Sequence, residues 1–240
     1  MNSGTVIGDV EVSRHGDVAV LTLRREAKLN ALSTHMESRL LDAVRSVNDS
    51  RAVVITGGDR VFSAGADTSE LREMTPEAIA EYYRGSGAVY EAVAALPQPT
   101  IAAIAGYCLG GGFELALAAD LRVADETAVF GLPEVGIGIL PSSGGVTRLV
   151  RAVGPARTRD LVLRCRRMSV TEAHSWGLVT ETTPAGSHLS TALEIAAELA
   201  TQPPLAVSVA KQVITAATDA SRETALLLEQ LAYATLNRIG

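Results

Sequence analysis

The sequence predicts an α/β fold in which short strands alternate with helices, followed by a region made only of helices. Short runs that are apolar along their whole length recur between helical segments, as in strands buried on both faces of a parallel or mixed sheet. Aromatic residues make up only 4% of the 240 residues, so Ala, Val, Leu and Gly must fill a closely packed core. Strand patterns end near Ala185. We therefore predict a core over residues 1–185 and a helical region over residues 186–240.

The N-terminal half carries clear signals for individual elements. Apolar runs on both sides of a Gly turn predict a β-hairpin, and Ser or Thr ahead of apolar residues at helical spacing predicts a capped helix. The predicted elements are strands near Val6–Val12 and Val18–Leu23, a helix from Ser33 or Thr34 to Val47, a strand at Ala52–Thr56 and one helix from Pro76 towards Leu96.

The C-terminal half continues the alternation and then loses its strands. Pro and Gly residues separate the segments, because both residue types interrupt regular structure. The predicted elements are a strand at Thr100–Ile104, a glycine-rich turn at Gly106–Gly112, a buried helix at Phe113–Ala119, a strand at Leu121–Ala124 and helices at Leu189–Ala200, Leu205–Ala217 and Arg222–Asn237.

Charge and composition exclude several classes of function. The net charge of −6 disfavours a nucleic-acid-binding surface. The cysteines, Cys108 and Cys165, form no CxxC or Cys/His pattern, so neither a disulfide framework nor a metal site is expected. We find no signal-peptide pattern and no apolar run long enough for a bilayer, which leads us to expect a cytoplasmic protein without a membrane partner. The four histidines, His15, His35, His174 and His188, have no catalytic neighbours in sequence and are interpreted as surface or structural residues.

Two glycine-rich segments are candidates for binding a developing negative charge. Gly110-Gly111-Gly112 lies between a predicted strand and a predicted helix, where backbone N–H groups and the helix dipole favour anions. A tight packing turn explains this triplet equally well. Ser63–Asp67 follows a buried strand and also leaves backbone N–H groups accessible, although an ordinary loop has the same composition.

Two glutamates are candidates for acid–base chemistry. Glu114 lies in the otherwise apolar helix Phe113–Ala119, where a carboxylate is costly unless it is hydrogen-bonded, paired or used. A glutamate at a helix start is also favoured by the dipole. Glu134 follows Pro133 in a Gly- and Pro-rich stretch and, considered alone, fits a surface role. A glycosidase also needs two carboxylates, but no aromatic residues that would line a sugar site accompany these two.

Taken together in order and spacing, these segments resemble the crotonase family, the enoyl-CoA hydratases and isomerases. The resemblance covers almost the whole chain. It implies a spiral of repeated ββα units with a C-terminal helical region that assembles as a homotrimer or a dimer of trimers. The segments that carry it are Val18–Leu23, Lys28–Leu32, Phe62–Asp67, Gly110–Ala116 and Leu132–Glu134.

The resemblance also implies roles for individual residues. The backbone N–H groups of Ala66 and Gly111 would form an oxyanion hole, and Glu114 and Glu134 would be the catalytic glutamates. An acyl-CoA would be the substrate, so coenzyme A enters with it and no other cofactor is expected. The residues that would contact the substrate are Arg24, Lys28, Ala64, Gly65, Asp67 and Gly110, with Arg25 as a further candidate for the phosphates.

The resemblance favours hydration of a trans-2-enoyl-CoA to a 3-hydroxyacyl-CoA, because both glutamates are present. Δ3-Δ2 isomerisation of an enoyl-CoA stays open as an alternative, and so does acyl-CoA binding with little catalysis. The last alternative is motivated by the chain end at Gly240 and by Ser142-Ser143, which replace a Gly-Ala pair frequent in relatives. Phe113 also stands where a smaller residue is frequent. A serine hydrolase and a dinucleotide enzyme are disfavoured, because no GxSxG elbow and no complete GxGxxG motif occur.

Overall fold

In a computed structural model that describes residues 5–85 and 87–238, the chain folds around a mixed sheet and a small second sheet. In the large sheet the strand order is β1-β2-β3-β4-β5-β7-β10, with the first three strands antiparallel and the rest parallel. The small sheet has the order β6-β8-β9. The strands are β1 Thr5–Ile7, β2 Val10–His15, β3 Val18–Leu23, β4 Ala52–Thr56, β5 Thr100–Ile104, β6 Tyr107–Leu109, β7 Leu121–Asp125, β8 Val129–Gly131, β9 Met168–Ser169 and β10 Glu181–Thr183.

Helices connect these strands and cover the large sheet. Short 3₁₀ helices at Glu26–Lys28 and Glu134–Ile137 lie between them. The α-helices within the described residues are α1 Thr34–Ser46, α2 Thr68–Glu73, α3 Pro76–Gly85, α4 Ala88–Ala94, α5 Gly111–Ala118, α6 Gly145–Leu163, α7 Val170–Ser175, α8 His188–Ala200, α9 Pro204–Ala217 and α10 Arg222–Leu236.

The predicted α/β class is confirmed, and the sheet is buried on both faces. Along β3, Ala19 and Leu21 face the main core, whereas Val18 and Val20 face a second cluster. This second cluster includes Ala192 of α8. Successive side chains of a strand point to opposite faces of the sheet. A strand that is covered on both faces therefore has an apolar residue at every position.

Three predicted elements differ from the structure. The single strand expected near Val6–Val12 is divided by a turn at Gly8 and Asp9 into β1 and β2, which pair antiparallel. The single helix expected from Pro76 towards Leu96 is divided into α3 and α4, with Gly85 at the end of one and Gly87 preceding the other. Glycine lowers helix stability because its backbone is conformationally free. The glycine-rich stretch Gly106–Gly112 contains strand β6, which pairs in parallel with β8. This pairing is long-range, so local composition did not reveal it.

The C-terminal helices differ in how they pack. Helix α8 contacts β4, β5 and β7 of the large sheet, so it covers the core. Helices α9 and α10 pack against each other and have no buried residues of their own. Within the described part of the chain, no helix combines the length and apolarity needed to cross a membrane.

Candidate active site

The candidate site lies where β4 and β5 end next to each other. These two strands are parallel, so their carboxyl ends meet at one edge of the sheet, where ligands bind in many α/β folds. The loop after β4 contains Ser63–Asp67, and the segment after β5 leads through β6 into α5. Residues Ser63 and Cys108 form an isolated parallel bridge between the two segments. The chain therefore brings its two glycine-rich segments together.

Buried Asn30 holds the loop after β4 in place. Its Nδ2 donates hydrogen bonds to the carbonyls of Gly57 and Val61, both at 2.9 Å. Its Oδ1 accepts a hydrogen bond from the N–H of Arg25 at 2.8 Å. The Ser63 hydroxyl donates to the Asn30 carbonyl at 2.8 Å. One fully buried amide thus satisfies several backbone groups that would otherwise be unpaired.

The glycine triplet is required for close packing in this structure. A Cβ atom on Gly112 would lie 2.6 Å from the Cβ of Ser63, and one on Gly110 would lie 2.9 Å from Oε1 of Glu134. Gly65 shows the same constraint, because its Cβ would lie 2.9 Å from the Leu109 carbonyl oxygen. The sequence left a packing turn and a ligand-binding turn as equal alternatives, and the structure shows that the triplet does at least the first.

Two backbone N–H groups are free to bind a ligand at this junction. The neighbours of Ala66 are engaged, since Leu32 donates to the Gly65 carbonyl at 2.8 Å and Asp67 donates to the Leu32 carbonyl at 2.9 Å. The Ala66 N–H itself makes none of the backbone hydrogen bonds found among the described residues. Gly111 is the first residue of α5, where an N–H has no partner within the helix. A Cβ on Gly111 would lie 3.6 Å from the Ala66 nitrogen, so the two N–H groups are close together.

Glu114 is held rigidly on α5. Its Oε1 accepts hydrogen bonds from the N–H groups of Ser143 and Gly145, both at 2.8 Å. The side chain is buried, and burial raises its pKa above the ordinary value, whereas the two backbone donors and the charge of Arg148 lower it. The carboxyl therefore has a fixed position and a pKa closer to neutrality than an exposed glutamate.

Glu134 is buried at the start of the 3₁₀ helix that follows Pro133. Burial, with a further contribution from the charge of Glu114, raises its pKa to about 7. Its Oε2 is buried and makes no hydrogen bond with the described residues. The surface role that Glu134 suggested in isolation is therefore wrong, because tertiary packing buries the side chain beside Gly110.

The predicted substrate-contacting residues occupy different surroundings. Ala64, Gly65 and Gly110 lie at the junction itself. Arg24 is exposed and forms an ion pair with Glu11 at 2.7 Å. Lys28 is exposed, and no ion pair to it is found among the described residues. Lys28 is therefore better placed than Arg24 to contact an anionic group.

Asp67 has a structural task within the loop. Its carboxylate caps α2 by accepting from the Ser69 N–H at 3.2 Å, and it forms an ion pair with Arg25 at 2.7 Å. The hydrogen bonds from Ser69 and Arg25 lower the pKa of Asp67 to about 2. Both side chains are thereby engaged with each other, which leaves Arg25 a weaker candidate for phosphate contacts.

Two residues that depart from the family pattern fit the site without disrupting it. Phe113 is fully buried and packs against Phe130 with ring centroids 5.4 Å apart. Ser143 contributes its backbone N–H to Glu114, and a backbone donor does not depend on the side chain. The Ser142-Ser143 substitution therefore preserves the support of Glu114.

One ionisable residue near the site was not expected from the sequence. Glu37 is buried in the first turn of α1, and its Oε1 accepts a hydrogen bond from the Tyr90 hydroxyl at 2.8 Å. Glutamate in a first helical turn is common at surfaces, so only tertiary packing shows that Glu37 is buried.

His188 is also buried and contacts the Gly58 carbonyl at 3.2 Å, which agrees with a structural role.

Comparison with known proteins places this chain in a family. The model of the enoyl-CoA hydratase/isomerase family matches residues 13–238. A probable enoyl-CoA hydratase of Mycobacterium tuberculosis is 38% identical over 91% of this chain and 86% of its own length. A short-chain-enoyl-CoA hydratase of Clostridium acetobutylicum is 36% identical over 95% of this chain and 88% of its own. A crystal structure of an enoyl-CoA hydratase from Bacillus anthracis superimposes with a TM-score of 0.91 at 36% identity, covering 95% of this chain and 90% of that one. The chain therefore belongs to the enoyl-CoA hydratase/isomerase family and has the crotonase fold.

Proposed function

We propose that the protein is an enoyl-CoA hydratase that adds water across the 2,3 double bond of a trans-2-enoyl-CoA. The observation that carries this proposal is the pair of buried glutamates, Glu114 and Glu134, beside two free backbone N–H groups. The similarity to proteins named enoyl-CoA hydratase supports the same reaction.

The two N–H groups, of Ala66 and Gly111, would receive the thioester carbonyl oxygen. Negative charge develops on this oxygen as the substrate becomes an enolate, and preorganised donors stabilise the charge without having to reorient. The positive end of α5 adds to the effect at Gly111. Loss of one such donor costs roughly 3 kcal/mol of transition-state stabilisation in comparable sites.

The glutamates would share the water that reacts. One carboxylate removes a proton as the water oxygen bonds to C3, the double-bond electrons move towards the thioester, and a proton is delivered to C2 from the glutamate pair. A pKa of about 7 makes both protonation states of Glu134 accessible near neutral pH. Because the charge of Glu114 affects Glu134, we expect the two carboxyls to titrate as a coupled pair.

The remaining predicted contacts would hold the coenzyme A portion of the substrate. Ala64, Gly65 and Gly110 would approach the thioester and its linker closely, because their small size leaves the backbone open. Lys28 would attract the phosphates, with Arg24 contributing less because Glu11 already neutralises it. Asp67 would shape this groove through its ion pair with Arg25. The reaction as proposed moves only protons and water, so it calls for no cofactor beyond the coenzyme A of the substrate.

We further propose that the protein assembles as a homotrimer or a dimer of trimers through its C-terminal helices. Helices α9 and α10 expose large apolar side chains, which soluble monomers rarely present as a group. A second copy of this chain is the partner that the family resemblance indicates. The side chains concerned, here called the C-terminal patch, are Leu205, Ile214, Leu226, Leu227, Leu231 and Tyr233.

A substrate panel with product analysis tests the proposed reaction. The purified protein would be incubated with crotonyl-CoA, longer trans-2-enoyl-CoAs and 3-enoyl-CoAs, and the products would be identified by mass. We expect 2-enoyl-CoAs to gain the mass of one water and to lose their enoyl absorbance. Conversion of 3-enoyl to 2-enoyl-CoA without a hydroxyacyl product would instead establish isomerisation. Tight acyl-CoA binding without turnover of any substrate would establish a binding protein.

A further inference from the structure

A pocket lies between α1, α3 and α4, next to the proposed active site. Its volume is about 450 Å³, which is sufficient for a short acyl group. Most of its wall is apolar, contributed by residues such as Leu41, Met74 and Val89. Buried Glu37 also lines this space, and we call it the Glu37 pocket.

Among the described residues, only one oxygen of Glu37 accepts hydrogen bonds. Oε1 accepts hydrogen bonds from the hydroxyls of Tyr90, at 2.8 Å, and Tyr82, at 3.4 Å. Oε2 makes none of the hydrogen bonds found among the described residues. The side chain is 8% exposed and lines the pocket. The helix dipole favours a glutamate in the first turn of a helix whether or not the side chain is buried. The dipole alone therefore does not explain why Glu37 lies in the wall of this pocket.

Glu37 is linked through Tyr90 to Gly111, whose N–H is one of the proposed oxyanion donors. The Tyr90 hydroxyl, which contacts Glu37, is 3.1 Å from the position that a Cβ atom on Gly111 would take. The charge of Glu114 also contributes to raising the pKa of both Glu37 and Tyr90, after desolvation by burial as the largest cause. The acyl chain of a thioester bound at Gly111 would have to pass this hydroxyl to reach Glu37, over a distance of only a few carbons.

An unbranched alkyl chain would make a poor occupant of this pocket. It would remove water from Glu37 and leave Oε2 without a partner, and an unpaired buried polar group is costly. A chain with a terminal carboxylate would be repelled by ionised Glu37, because the described lining residues include no Lys or Arg. A chain that carries a hydrogen-bond donor would satisfy Oε2.

We propose that Glu37 selects acyl groups that carry a hydroxyl or amino group a few carbons from the thioester, by accepting a hydrogen bond from that group. This inference rests on the proposed function, since it takes Gly111 as a donor to the thioester. Sites built to bind a substrate donor discriminate strongly against analogues that lack it, because their own polar groups are then left unpaired.

The test compares matched substrates at three chain lengths. Values of kcat/KM would be measured for trans-2-pentenoyl-, hexenoyl- and octenoyl-CoA and for the ω-hydroxy, ω-amino and ω-carboxy form of each. For the native protein we expect the best ω-hydroxy or ω-amino substrate to exceed its alkyl counterpart by roughly tenfold or more. The ω-carboxy forms should be the poorest of each set.

Variants of Glu37 assign the preference to its carboxyl group. Glu37→Leu should reverse the preference in favour of alkyl chains, and Glu37→Gln should keep part of the preference for the hydroxyl while losing that for the amine. Glu198→Gln, at an exposed position of α8 outside the pocket lining, is the control and should leave the ratios unchanged. If the native protein prefers alkyl chains, or if Glu37→Leu and Glu37→Gln both retain the native ratios, the proposal is overturned.

A binding measurement separates this proposal from the reaction. Dissociation constants for saturated hexanoyl-CoA and its ω-hydroxy and ω-amino forms would be measured by calorimetry for the native protein and Glu37→Gln. Selective binding of the ω-amino form that Glu37→Gln removes, with a reduced preference for the ω-hydroxy form, would support the proposal even if no enoyl-CoA were hydrated. Hydration without such selectivity would overturn it while leaving the proposed function intact. Glu37→Gln is nearly isosteric, so it provides the comparison if Glu37→Leu fails to fold.

Discussion

Burial controls the protonation of three glutamates within one region of the protein. Glu114 is additionally held by two backbone donors, Glu134 has an unpaired buried oxygen, and Glu37 is bonded to two tyrosines. Desolvation is the largest cause of the raised pKa in each of the three. The three carboxyls differ in their hydrogen bonds, and we propose different tasks for them: catalysis for Glu114 and Glu134, and substrate selection for Glu37.

Raised carboxyl pKa values make stability depend on pH in a defined direction. The pKa of Glu37 rises from an ordinary 4.5 to about 7, so the folded state binds more protons than the unfolded state between these values. The contribution of Glu37 to the free energy of unfolding should then be fully present below pH 4.5 and be lost as the pH rises through 7, by about 1–3 kcal/mol for such a carboxyl. Glu37→Gln should flatten this decline.

The measurement is chemical denaturation at a series of pH values from 4.5 to 8, a range chosen to span both pKa values of Glu37. Glu198→Gln, an exposed change on α8, serves as the control and should follow the native curve. Identical pH dependence of Glu37→Gln and the native protein would show that Glu37 titrates normally in the folded state.

At the scale of elements, the start of α5 depends on the close approach of Gly112 to the loop after β4. A Cβ at this position would lie 2.6 Å from the Cβ of Ser63 and 2.7 Å from the Ser63 carbonyl oxygen. Because backbone has to move, Gly112→Ala should destabilise the fold by about 1–3 kcal/mol. It should also displace the proposed oxyanion donors, the N–H groups of Ala66 and Gly111, and lower kcat more than it raises KM.

The matched control for this change is Gly87→Ala. Gly87 has φ −69°, and a Cβ there would meet no atom within 4 Å. Thermal unfolding of both variants, with kcat and KM for crotonyl-CoA, checks the prediction. Equal melting temperatures and equal rates for the two variants would mean that the α5 start tolerates a side chain.

The elements that the sequence predicts well are those with a local cause. Ser33 caps α1 by accepting a hydrogen bond from the Met36 N–H. This was predictable because Ser33 directly precedes apolar residues at helical spacing. The run Ala52–Thr56 forms β4 because it is apolar throughout and ends at two glycines. The buried helix that begins near the glycine triplet is likewise present as α5. In each case neighbouring residues contain the necessary information.

The features that the sequence did not reveal depend on contacts between distant segments. Strand β6 forms because Tyr107–Leu109 finds β8 as a partner, and Glu134 is buried because its loop folds over Gly110. Glu37 becomes a pocket residue only when α4 brings Tyr90 to it. For the candidate site, the motifs could therefore be named from the sequence, whereas the burial that raises their pKa values could not.

At the scale of the whole molecule, the C-terminal patch predicts self-association. We expect the protein to elute with the mass of three or six chains in size-exclusion chromatography with light scattering. The double change Leu227→Glu and Leu231→Glu should yield smaller species, because it places charge among exposed apolar side chains on α10. Val6→Glu, at an exposed position on β1, is the control. A native protein that elutes as a monomer would contradict the prediction.

The fold class and the family were predictable because they rest on the order of many segments along the chain. The boundary of the helical region is harder to predict, because apolar periodicity does not indicate which helix packs on the sheet. Helix α8 covers one face of the sheet, whereas α9 and α10 pack mainly on each other. The division at residues 185 and 186 therefore stays a prediction.

The most direct test of the account follows the oxygen atom of the water that reacts. Crotonyl-CoA would be incubated with the native protein and with Glu134→Gln in oxygen-18 water, and the products would be analysed by mass spectrometry. We predict that the native product is 3-hydroxybutyryl-CoA with one labelled oxygen at C3. Glu134→Gln should form it at least about a hundredfold more slowly while still binding the substrate. An unlabelled product, a shifted double bond or an undiminished rate in Glu134→Gln would contradict hydration by this pair of glutamates.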